Sequence, residues 1–120
     1  MSDDGKAALL NAAVSIGHFY AFLAQGLRMV FDPKAAAQLP ETLFDERLDQ
    51  IRGNLAPILE RNQVVKENLQ KVDQEVMRIR KAASNEATRS KAIEDARRYH
   101  TDIAERARTI SDLVGIFRRL

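Results

Sequence analysis

Apolar residues recur along this chain at the alternating spacings of three and four that mark one face of an α-helix. In the first third, Leu9, Ala13, Ile16, Tyr20, Leu23, Leu27 and Val30 form one such seam. Leu10, Val14, Phe19, Phe22 and Phe31 form a second, leaving Asn11, Ser15, His18 and Gln25 in a narrow polar stripe. The pattern predicts a helix from Asp3 or Asp4, either of which suits an N-terminal cap, to Phe31. A helix this apolar around its circumference requires burial on nearly all sides. Asp32-Pro33 then ends it, because the residue before proline is pushed out of helical geometry. Residues 32–40 read as a linker, with room for one helical turn in the Ala run.

The next seam is the most regular. Phe44, Leu48, Ile51, Leu55, Ile58, Asn62, Val65, Leu69, Val72, Val76 and Ile79 keep the spacing without a miss, and ten of these eleven positions are apolar. Five heptads of this kind predict coiled-coil-like packing. Gly53 and Pro57 interrupt it, since Pro57 has no N–H to donate to the Gly53 carbonyl. The unbroken phase favours a kink there over a helix end. A last seam runs through Ile93, Ala96, His100, Ile103, Ala107, Ile110, Val114 and Phe117. It is out of phase with its predecessor, which places a turn near Ser84-Asn85. Without that turn, residues 41–118 form a rod about 117 Å long at the helical rise.

The expected fold is therefore all-α: an elongated antiparallel three-helix bundle or helical hairpin with coiled-coil-like heptad packing. It has an apolar N-terminal helix (1–31), a linker (32–40) and a heptad hairpin (41–120), together one domain, with the middle helix kinked near Gly53 and Pro57. Composition agrees. There are 120 residues with five Gly, three Pro and neither Cys nor Trp, which leaves no thiols for disulfides or cysteine-ligated metal and few residues for tight hairpin turns. The formal charge of +2 conceals a gradient. The first forty residues are neutral, whereas the last forty carry nine basic and six acidic side chains.

Chemistry is sparse. His18 and His100 lack the Glu three residues earlier that bundle di-iron sites use, since Ser15 and Arg97 stand there. No phosphate loop or nucleophile elbow occurs either. The expectation is a protein without enzymatic activity, metal or cofactor. The uncharged run Ala7–Leu27 is long enough to cross a bilayer. Asn11, His18 and Gln25 are costly there unless paired, so a helix buried in a cytoplasmic protein is the favoured reading and membrane association the alternative. The basic stretch Arg78, Arg80, Lys81, Arg89, Lys91, Arg97 and Arg98 could contact nucleic acid or another polyanion, but it has no interleaved aromatic platform. Asn62, the one polar residue inside the middle seam, could set register in an oligomer. Leu9, Ile16, Phe19, Tyr20, Phe22, Leu23 and Leu27 exceed what one neighbouring helix covers. These residues form the candidate oligomer or partner interface. The expected role is a structural or adaptor component of an assembly, self-associating or joined to other proteins.

Overall fold

A computed structural model describes residues 3–120, with the side chain of Asp3 excepted, so the cap expected at that residue lies outside the described part. The described chain is all-helical. Its elements are α1 (Asp3–Phe31), α2 (Pro33–Gln38), α3 (Glu41–Leu59), α4 (Gln63–Ala83) and α5 (Arg89–Arg118). Four are long, and α2 is a six-residue turn inside the linker, with Asp32 as its N-cap accepting from Lys34 N at 3.0 Å and Pro33 in its first turn.

The long helices alternate in direction. Arg52 of α3 pairs with Asp73 of α4, and Phe44 of α3 lies under Arg80 of α4, so these two run antiparallel. Arg78 of α4 reaches Asp95 of α5 near the next turn, which makes that pair antiparallel as well. Gly17 of α1 backs onto Ile110 of α5 while Phe31 meets His100, so the N- and C-terminal helices are antiparallel neighbours. The result is an up-down-up-down bundle, 54 × 26 × 24 Å, in which α1 touches α3, α4 and α5.

Two expectations need correction. The middle helix is not one piece from residue 41 to the turn near residue 84. It continues through Pro57 to Leu59, and the chain then reverses at Glu60–Asn62. Gly53 is exposed, so the carbonyl that Pro57 leaves unpaired can meet water and the helix survives. Asn62 is not a core polar residue. It is exposed, adopts an extended conformation and accepts from Val65 N through its side-chain oxygen at 3.2 Å, as an N-cap. Asn hydrogen-bonds its own backbone better than it propagates a helix, which is why the break falls there. The seam keeps phase across it because both halves, folded back on each other, face the same core. Phe44, Leu48, Ile51 and Leu55 are buried from α3, and Leu69, Val72, Val76 and Ile79 from α4. The bundle thus has four long helices where three were expected.

The turn near Ser84-Asn85 is present, and the rod is not. The side chains there hold the last carbonyls of α4, which have no partner within the helix. Ser84 Oγ donates to Lys81 O, Thr88 Oγ1 to Ala82 O, and Arg89 Nε to Ala83 O. The fully buried residues are all apolar. Leu23, Leu27, Phe44, Leu48, Leu55, Val76, Ile79 and Ile103 are fully buried, each worth roughly 1.5–3 kcal/mol relative to exposure. No side-chain polar atom among the described residues is buried without a partner.

Two of the helical glycines, Gly26 and Gly53, predict opposite effects. A Cβ on Gly26 would come within 2.5 Å of Phe44 Cζ, so Gly26→Ala should destabilise by ~1–3 kcal/mol. Gly53 has nothing within 4 Å, and Gly53→Ala should stabilise by about 0.5–1 kcal/mol. Urea titrations measure both. A second test concerns pH. Burial, helped by nearby Arg28, holds the His100 imidazole below its ordinary 6.5. The unfolded chain therefore binds the proton first, and stability falls as pH drops below that value and through the folded one. The melting temperature should decline from about pH 7 to about pH 5, and His100→Gln should flatten that decline.

Candidate interaction surface

The charged residues first expected to meet a polyanion are largely occupied within the chain. Arg78 donates to Glu75 on its own helix and reaches Asp95 on α5 at 3.7 Å. That pairing holds Glu75 below the usual carboxylate range and raises Arg78. Arg98 donates to Asp95 on its own helix at 2.8 Å. Arg89 caps α4, and Arg97 lies over the Phe31 ring at 5.5 Å. Lys81 and Lys91 are exposed. Most of the seven thus engage partners within the chain.

Arg80 is the exception to surface charge. Its side chain is only 9% exposed, with the guanidinium 4.0 Å from the Phe44 centroid. Nη1 donates to Gly26 O at 2.9 Å, and Nη2 approaches Glu41 at 3.5 Å. Burial lowers its pKa, and the Coulombic attraction of Glu41 and Asp45 opposes that shift. A cavity of about 310 Å³ beside it is lined by Met29, Val30, Leu39, Glu41 and Ser84. These contacts join α1, α3 and α4.

The expected partner interface on α1 also divides. Phe19, Tyr20, Phe22, Leu23 and Leu27 are buried in this chain's own core and present nothing to a partner. The reason is that α1 has three long neighbours, a consequence of the reversal at Glu60–Asn62. Ile16 is partly buried against the same core, while Leu9 remains 51% exposed. Asn62 caps α4 and is exposed at the α3–α4 reversal, where it lines a groove beside α1. The polar stripe of Asn11, His18 and Gln25 faces solvent, with Ser15 half-buried.

The exposed large apolar side chains among the described residues are Leu9, Val14, Val64, Leu113, Ile116 and Leu120. All six lie at one end of the bundle. The Gly17–Ile110 contact places the start of α1 beside the end of α5, and the groove between α1 and the α3–α4 reversal brings Val64 to the same end. That groove, about 510 Å³, is lined by Ala8, Leu9, Ala12, Ile16, Ile58 and Val65 among others. Helix lengths explain why it stays open. α5 has 30 residues and α4 has 21, so α5 continues roughly 13 Å further at the helical rise. The start of α1 lies beside the end of α3, with Ala8 and Leu9 lining the same groove as Ile58 and Leu59. Beyond the start of α4, α5 carries Leu113 and Ile116 on an exposed apolar stripe that Leu120, just past the end of the helix, extends, while Phe117 is half-buried.

Sequence reasoning missed Val14, Val64, Leu113, Ile116 and Leu120. The signal lay in the doublets Leu113-Val114 and Ile116-Phe117, which give the end of α5 two apolar stripes where one neighbour needs one. Val114 takes the inner stripe and is buried; Leu113 does not. Among the described residues, no three His, Asp or Glu side chains converge as a metal site would require. One described helix, Asp4–Phe31, is long and apolar enough to cross a membrane. Within the bundle, however, its Leu23 and Leu27 have no exposed surface. Compared with known proteins, the chain matches no protein family, no curated protein and no solved structure.

Proposed function

We propose that this chain is a non-enzymatic structural or adaptor component of a protein assembly, joined to it by helix–helix contacts at the open end of the bundle. The observation that carries this reading is the confinement of its large exposed apolar side chains to that end. Single exposed apolar residues scattered over a surface need no explanation, whereas a cluster at one place marks an interaction site. The stripe on α5 supports helix packing in particular, because its spacing is the one a partner helix reads. A polyanion contact is less favoured, because Arg78, Arg89 and Arg98 are held by partners in the chain and Arg80 is buried. Insertion of α1 into a membrane would uncover Leu23, Leu27, Phe44 and Leu55 from one another, a cost the assembly reading does not carry.

The double variant Leu113→Glu with Ile116→Glu tests the proposal. Both positions are at least half exposed, so the melting temperature of the folded chain should change by no more than a few degrees. Proteins recovered with the tagged chain from its native cells should be lost from the variant. Recovery of the same companions at undiminished yield would show that contacts are made elsewhere.

A further inference from the structure

We infer that the occupant of the open end is a second copy of this chain, docked end to end about a two-fold axis. This rests on the assembly reading above and names its partner. The overhang of one copy, formed by the start of α1 and the last turns of α5, lies beside that of the other. The groove at the α3–α4 reversal of each receives the tip of its neighbour. Four helix ends, two from each copy, then close into a bundle of the same kind as the rest of the molecule, with Leu9, Leu113, Ile116 and Leu120 inside it.

Three features select a second copy over other occupants. The first is self-complementarity of form. The end offers both a protruding apolar element and an apolar groove of about 510 Å³ beside it, which an isologous contact requires, because each surface must be donor and recipient at once. The second is area. The six exposed side chains alone present on the order of 600 Å², against roughly 800 Å² per partner in a standard interface. The third is charge. Asp4 and Arg118 stand near the tip of the overhang, and Glu60 and Arg61 stand at its base, all exposed. Antiparallel overlap brings tip to base, where each sign finds its opposite.

The geometry also closes. An end-to-end two-fold uses the only such end each copy has among the described residues, so association stops at two. The dimer is long, because the overlap is confined to the overhangs.

Sedimentation of the purified chain from micromolar to millimolar concentration, joined to solution scattering, tests the inference. The expected particle has twice the 13.5 kDa of one chain and a maximum dimension well beyond 54 Å. Leu113→Glu with Ile116→Glu should weaken the dimer at least a hundredfold while leaving the helical circular dichroism unchanged. A wild-type chain that stays monomeric throughout would overturn the second copy as partner, yet leave the assembly reading to its own co-purification test. A dimer no longer than one chain, a dimer indifferent to the double variant, or a mass that climbs past two copies would overturn the end-to-end geometry. If the monomer instead bound vesicles of neutral or anionic lipid through the same two residues, a lipid surface would replace the second copy.

Discussion

At the junction of α1, α3 and α4, three groups are stacked in one column. The Phe22 ring lies flat on Phe44 at 4.8 Å between centroids and 9° between planes, and Arg80 covers the other face of Phe44 at 4.0 Å. Gly26 is what allows the approach, because a side chain there would occupy the space of the Phe44 ring. Its carbonyl then accepts from the same Arg80, so one residue provides both clearance and a partner for a buried charge. A guanidinium this buried is tolerated because a π-face, a peptide oxygen and a nearby carboxylate replace part of its water. The column sets how α3 returns against α1 and how α4 enters beside both. It therefore fixes the level at which α3 ends and α4 begins.

That level decides what is left over. With α3 and α4 anchored at the column and reversing at Glu60–Asn62, the end of α5 runs on past the start of α4 and the groove beside the start of α1 stays open. The Arg52–Asp73 pair adds a second tie further along α3 and α4, with Arg52 Nε and Nη2 each donating to one carboxylate oxygen of Asp73, at 2.7 and 2.6 Å. This planar geometry is among the stronger charged contacts and restricts sliding of one helix along the other. The Asp73 hydrogen bond raises the Arg52 pKa, as expected when the charged form is favoured. The open end thus follows from a rigid hairpin shorter than the two helices it packs against.

The helical character, the linker and the turn at 84–88 were legible in the sequence because each rests on local chemistry. Proline removes a donor, Asp32 and Ser84 bond nearby backbone, and apolar spacing marks an inward face whatever lies opposite. The break in the middle helix was misplaced for a related reason. Gly53 and Pro57 are the usual helix breakers, yet exposure let α3 pass through them, and a single Asn five residues later ended it instead. In a seam of apolar residues that Asn looks like a register-setting core polar group. The same residue type serves both roles, and periodicity does not distinguish them.

The sequence by itself determined which residues turn inward, since Leu48, Leu55, Leu69, Val76 and Ile103 occupy seam positions and all are buried. It also determined that α1 would need more than one neighbour. Only the tertiary structure decided that the neighbours are supplied by the chain itself over residues 19–27 and are missing near Leu9 and Leu113. Periodicity reports the direction a side chain faces around its own helix. It carries no information on how far along that helix the facing helix extends, and that relative length separates the closed part of this bundle from the open one.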